Sequence, residues 1–211
     1  EQGRKMTKSL GNGIDPLAEI SLYGADALRL FLSTNSTPGQ DIRYVREKVE
    51  AAWNFLNKIW NASRFTLMNL GDFQLYDVSL DNLSLIDRWI LNKLNETISA
   101  VNKEMNRYEF AIAAGKLNDF AWENFCDWYL ELVKSNLQSS DPQIVISAKS
   151  TLLTVLTAII KMLHPFSPFI TERLFQAIPH NGETISPAKW PKPNYGRKTE
   201  DQDEVEQLIT M

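Results

Sequence analysis

The sequence predicts an all-α fold: an antiparallel helical bundle preceded by a short loop-and-helix segment. Three observations lead there. Apolar residues recur at helical spacing along most of the chain, the Pro- and Gly-containing breaks between them are short, and no strand-length alternating run competes. The 211 residues are 44% apolar and include ten Phe, six Trp and six Tyr, enough for a substantial core.

Taken in order, residues 16–22 and 25–33 read as two short helices split by Gly24, with Asp15-Pro16 as the opening signal of the first. Ser36-Thr37-Pro38-Gly39 reads as a loop. A long helix over 44–69 stops near Gly71, and a second runs from Leu83 to Arg107 with Asn82 or Ser84 as its cap. Phe110 to Leu137 is a third, and Asp141-Pro142 opens a fourth that stops at His164-Pro165. A short helix follows at 168–177, the Pro- and Lys-rich stretch 179–199 reads as extended chain, and a charged helix starts near Glu200. The expected organisation is a loop and two short helices over 1–40, the bundle over 41–178, and an extended segment with a further helix over 179–211.

Composition narrows the function classes. A formal charge of −4 argues against nucleic-acid binding by bulk positive charge. The charge is uneven: residues 1–70 hold nine Lys+Arg against seven Asp+Glu, and the remainder thirteen against nineteen. An anionic partner would meet the first third. Cys126 is the single cysteine, so neither an internal disulfide nor a cysteine zinc site is available, and a reducing cytoplasmic setting is expected. No apolar run approaches the length of a membrane span on this reading, and no metal site is expected. The chain opens on Glu1 rather than on methionine, so a fragment of a longer protein is expected; a monomer is expected separately.

The first motif is Gly3-Arg4-Lys5-Met6-Thr7-Lys8-Ser9-Leu10-Gly11-Asn12. Two lysines three apart among glycines and hydroxyls suit a mobile loop that grips a polyphosphate and stabilises charge on a leaving pyrophosphate. A solvated basic loop is the plainer reading, and the Walker pattern is absent. The string from Lys5 to Asn12 resembles the KMSKS signature of class I aminoacyl-tRNA synthetases, with Thr7 where serine is usual. Ile14-Asp15-Pro16 and Tyr23-Gly24-Ala25-Asp26-Ala27-Leu28-Arg29 are similar to the segment that follows it in the valine, isoleucine and leucine members. The resemblance assigns Lys5 and Lys8, with Thr7 and Ser9, to the triphosphate of ATP.

The second motif runs from Asn54 to Phe65 and resembles the valine-specific branch of that family. On a helical wheel Val49, Ala52, Trp53, Leu56, Trp60, Ser63 and Leu67 gather on one side. Asn54, Lys58, Asn61 and Phe65 gather opposite, with Asn57 and Arg64 at the edge. An aromatic among amides and cations is the set that reads unpaired RNA bases. The wheel alone leaves open that Phe65 packs on a neighbouring helix and the asparagines are merely solvated. The resemblance implies that Asn54, Asn57, Lys58, Asn61, Arg64 and Phe65 hold the anticodon.

Two further strings are similar to the same family and read as structural. In Asn124 to Leu132, Asp127 and Glu131 read as polar-face or helix-pairing residues, Trp122, Phe125 and Trp128 as core, and Cys126 as buried and inert. In Leu163 to Glu172, prolines punctuate a bend and His164 reads as a packed or capping histidine, with Trp190-Pro191 downstream and His180 in a loop without a visible partner. The resemblance spans Glu1 to about Pro191. It implies a piece of a valine-specific ligase whose anticodon-binding region takes a valine tRNA stem-loop. It also implies ATP with Mg2+ in the intact enzyme, and a nucleotide-binding catalytic domain acting in cis. That domain's H-x-G-H string is absent, so the piece alone is expected to be inactive. The rivals are the matching piece of an isoleucine or leucine enzyme, against which Asn57 to Phe65 argues, and a helical protein-interaction module.

Overall fold

The computed structural model describes residues 6–36 and 39–195, together with Val205 and Ile209. Lys5 and most of the segment beyond Glu200 lie outside the described residues, as do Thr37 and Pro38. Among the described residues the chain is all-helical and has no strand. The α-helices are α1 (Pro16–Tyr23), α2 (Ala25–Thr34), α3 (Arg46–Leu70), α4 (Leu85–Met105), α5 (Phe110–Asp119), α6 (Leu130–Leu137), α7 (Pro142–Leu163) and α8 (Pro168–Phe175). The link from α5 to α6, Phe120–Tyr129, is wound as a π-helix.

The punctuation works as the residues dictate. Asp15 accepts the backbone N–H of Leu17 at 3.0 Å to open α1, and Gly24, at φ 82°, breaks α1 from α2 where a side chain would be strained. Gly71, at φ 56°, ends α3. Ser84 opens α4 through a reciprocal cap: its Oγ accepts from the N–H of Asp87 at 3.2 Å, and Asp87 accepts from the N–H of Ser84 at 3.3 Å. Asp141 accepts from the N–H of Gln143 at 2.9 Å, with Pro142 in the first turn of α7.

α7 is the axis of the bundle and packs against α3, α4, α5, α6 and α8. Neighbours joined by short turns, such as α4 with α5 and α6 with α7, pack side by side, which makes them antiparallel. The core runs through Ile90, Leu94 and Ile98 of α4, Phe125 and Tyr129 of the π segment, and Leu152, Leu156 and Ile159 of α7, all fully enclosed. Each such side chain contributes roughly 1.5–3 kcal/mol through burial. Contrary to expectation, α7 is long and apolar enough to cross a membrane by length and composition. Its apolar circumference is explained by neighbours on all sides.

Residues 183–185 are tied to the end of α8 through Glu172 and Gln176, and Trp190 and Tyr195 lie against α4, held by two asparagines seven apart on one face. Asn95 donates to the carbonyl of Tyr195 and accepts its N–H at 3.0 Å, while Asn102 accepts the indole N–H of Trp190 at 2.6 Å. Of the charged helix expected from Glu200, only Val205 and Ile209 are described; both are helical and Val205 is buried.

Candidate nucleic-acid interface

The inward face of α3 differs in phase from the wheel. Val49, Ala52, Leu56 and Ser63 are buried as expected, but so are Phe55, Ile59, Ala62, Thr66 and Leu70. Trp53 and Trp60 stand 41% and 39% exposed. The buried stripe is turned by roughly 70° from the expected one. α3 carries two overlapping apolar stripes, and its packing partners α2, α7, α8 and the π segment select the one containing Phe55 and Ile59. The tryptophans are left at the margin.

That rotation divides the six predicted anticodon residues. Asn54, Asn61 and Arg64 are exposed and Asn57 is half-buried, all on the outer stripe. None of their side chains has a polar partner among the described residues. Lys58 and Phe65 sit at the edge. Phe65 is half-buried against the core. The Lys58 ammonium pairs with Asp127 at 2.5 Å and lies 3.7 Å from the ring centre of Trp122, which itself stacks on Phe55 at 6.4 Å. Lys58 therefore clamps α3 to the π segment, and Asp127 is the helix-pairing residue its position suggested.

The π winding explains a second correction. Hydrogen bonds from i to i+5 space the inward residues by four and five, so Phe120, Ala121, Phe125, Tyr129 and Leu130 are buried. Trp128, expected in the core, stands 39% exposed, and Trp122 is half-buried. Cys126 is half-buried, and burial pushes its thiol up to about 12, against the pull of nearby Lys58. Glu131 pairs with Lys134 at 2.5 Å. His164 Nδ1 meets the hydroxyl of Thr171 at 2.8 Å, a packed histidine as expected. His180 does have partners: Nδ1 donates to the carbonyl of Ile178 at 2.9 Å and the ring leans on Phe175.

At the N-terminal loop, Lys8–Leu10 makes a 3-10 turn, and of Lys8 only the backbone is described. The Thr7 N–H donates to Asn12 Oδ1 at 2.9 Å, and the hydroxyls of Thr7 and Ser9 lie 3.3 Å apart. Gly11, at φ 60°, presents an open side with no heavy atom within 4 Å of where a Cβ would stand.

Residues missed by the wheel complete the surface. Trp60, Ser63, Arg64 and Leu67 of α3 face Arg173 and Leu174 of α8 across a groove of about 370 Å³ that continues past α8 to Gln176 and Ala177. The signal was present as a second apolar stripe (Phe55, Ile59, Ala62), which pushes both tryptophans outward. A larger apolar groove of about 670 Å³, between Leu32, Ile42, Tyr108 and Phe166, holds none of the predicted site residues.

The profile of the anticodon-binding domain of tRNA ligase matches residues 87–211, and that of the class I tRNA synthetases for isoleucine, leucine, methionine and valine matches residues 1–45. The chain belongs to the family of anticodon-binding domains of tRNA ligases. It is 55% identical over 193 residues to the valine–tRNA ligase of Staphylococcus epidermidis, covering 90% of this chain and 22% of that protein. The valine–tRNA ligase of Bacillus cereus is 53% identical over 192 residues, with the same coverage. The chain thus spans 22% of the length of these relatives. A crystal structure of Agrobacterium radiobacter K84 agnB2 LeuRS, in a ternary complex with tRNA and LeuAMS, has the same fold at a TM-score of 0.68 and 24% identity, over 91% of this chain and 22% of that one.

Proposed function

We propose that this chain is the anticodon-reading part of a valine–tRNA ligase, and that the outer stripe of α3 is the reading surface. The observation that carries it is Asn54, Asn57, Asn61 and Arg64 aligned and without polar partners among the described residues, on a chain 53–55% identical to valine–tRNA ligases. Amide and guanidinium groups hydrogen-bond the edges of splayed bases. Phe65, half-buried at the margin, leaves part of its side chain open for a base to stack on, and Lys58 contributes by holding α3 at its angle to the π segment.

The parent reaction joins valine to the AMP moiety of ATP as valyl-adenylate with release of pyrophosphate, then transfers valine from the adenylate to a tRNA hydroxyl with release of AMP. ATP with Mg2+ would supply the activated phosphoanhydride. Lys5 and Lys8, with Thr7 and Ser9, would hold its phosphates, and the open side of Gly11 fits such close approach. No cluster of three acidic, His or Cys residues among the described ones is placed to hold a metal, so Mg2+ would arrive on the phosphates. The catalytic domain acts in cis on this reading, over an organisation of 1–40, 41–178 and 179–211, in a monomeric, cytoplasmic protein.

The test is a low-salt titration against a valine-tRNA anticodon stem-loop, beside one with the middle adenine changed. Tighter binding of the first by the wild-type chain, lost in Asn61→Ala, is expected, together with no valine-dependent ATP–pyrophosphate exchange. Equal affinity for the two stem-loops would overturn the reading of α3.

A further inference from the structure

The groove between α3 and α8 has a composition that the anticodon stripe does not account for. Two guanidinium groups line it, Arg64 from one wall and Arg173 from the other, and none of its lining residues is acidic. Neither arginine has a polar partner among the described residues. Arg46, Lys58, Lys134, Arg29 and Lys149 are engaged by carboxylates or backbone carbonyls, whereas Arg43, Lys103, Arg107, Lys116 and Lys161 also lack a polar partner among the described residues; the groove differs in that two such groups line one space that no carboxylate lines. The same groove exposes Trp60, whose ring leaves the core because α3 is rotated. Two unpaired planar forks beside an open aromatic face match a phosphate and the base attached to it. The volume of about 370 Å³ lies near the lower end of ligand sites, which run from about 300 to 1,000 Å³. That volume is of the size of one nucleotide.

We propose that this groove seats one further nucleotide of the RNA strand that crosses α3, with its base on Trp60 and its phosphate between Arg64 and Arg173. The proposal rests on the reading of α3 given above, since Arg64 lies on both the outer stripe and the groove wall. It adds α8, and so residues far along the chain, to the RNA surface. Because the contact is with a phosphate and a ring face, it contributes affinity with little dependence on base identity.

The test uses the 211-residue chain and the two stem-loops above, titrated over a range of salt concentrations. Arg173→Ala should weaken binding of both stem-loops by a similar factor of about three to ten and reduce the salt slope by about one. Arg173→Lys should restore most of the slope. Trp60→Leu should weaken both by about tenfold, while helical circular dichroism stays that of the wild type. Wild-type discrimination between stem-loops with no effect of Arg173→Ala would overturn the groove and leave the α3 reading intact. No discrimination, with loss in both groove variants, would overturn the α3 reading and leave the groove as an RNA seat. Loss in Arg173→Ala without loss in Trp60→Leu would overturn the nucleotide seat in favour of a bare anion site, one that an acidic peptide could equally occupy. Absence of RNA binding in the wild type would overturn both.

Discussion

Lys58 shows how one residue's role depends on its neighbours. On a wheel it is a cation on a polar face; in the fold its charge is held by Asp127 and by the face of Trp122. Both charged groups remain partly exposed, so the pair is screened and contributes about 1 kcal/mol or less, with the ring adding a similar amount. Lys58→Met keeps the aliphatic packing over Trp122 and removes the charge. Its expected effect is a fall in Tm of about 2–4 °C, read by calorimetry, for a loss near 1 kcal/mol in a chain of this size. Cys126 lies next to Asp127, and burial holds its thiol near 12, well above neutral pH. Iodoacetamide at pH 8 should therefore label Cys126 slowly in the native chain and rapidly in urea. Equal rates in the two states would show that the thiol is not shielded.

At the scale of elements, the reciprocal cap at the start of α4 is the centre of a larger network. Asp87 is fully buried and accepts from the Tyr129 hydroxyl at 2.6 Å, the Ser84 hydroxyl at 2.6 Å and the Ser147 hydroxyl at 3.2 Å. Asn136 donates to Ser84 Oγ at 3.0 Å. One carboxylate thus gathers α4, the π segment and α7, with α6 one hydroxyl away. Tyr129→Phe strips Asp87 Oδ1 of its one donor among the described contacts and should cost about 1–3 kcal/mol, measured by urea denaturation. A change below about 0.5 kcal/mol would mean that water or rearrangement satisfies the carboxylate. The cap itself is legible in the string Ser84-Leu85-Ile86-Asp87, whereas its reach to Tyr129 requires the π winding. Nothing in Phe120–Tyr129 announces that winding, since its aromatics fit a 3.6-residue period about as well as a longer one. For the same reason Trp128 reads as core in the sequence and stands exposed in the structure.

At the scale of the molecule, the N-terminal helices are fastened to the far end of the bundle. Asp26 of α2 accepts the N–H groups of Phe169 at 3.3 Å and Ile170 at 2.6 Å, capping α8 from a distance, and Arg29 donates to the carbonyls of Pro165 and Phe166. Glu19 of α1, nearly inaccessible, pairs with Arg46 of α3 at 2.7 Å. The Tyr44 hydroxyl faces the same carboxylate at a geometry short of a full hydrogen bond, so the Arg46 pair is the firm contact. Tyr44 and Arg46 together hold the Glu19 carboxyl below its ordinary 4.5, and hydrogen bonds from Thr184 and Gln176 do the same for Glu172. Carboxyls lowered in the folded state contribute stability that is fully present above 4.5 and is lost as pH falls through their folded values. Thermal melts should accordingly show stability falling below pH 4.5, and less steeply in Glu19→Gln, which has no proton to gain. Parallel acid limbs in wild type and variant would remove Glu19 from that account.

The sequence by itself determined the helices and their ends, because caps, prolines and glycines act within a few residues: Asp15-Pro16, Gly24, Gly71, Ser84 and Asp141-Pro142 all punctuate where they were read. It also carried the motifs that tie the chain to its family. Only the tertiary structure decided which way each helix faces. α3 holds two apolar stripes that differ by less than a quarter turn, and local periodicity cannot choose between them. The choice falls to the packing of α2, α7, α8 and the π segment, which buries Phe55 and Ile59 and turns Trp53 and Trp60 outward. Arg64 and Arg173 are more than a hundred residues apart, so the groove they share exists only once that rotation is set.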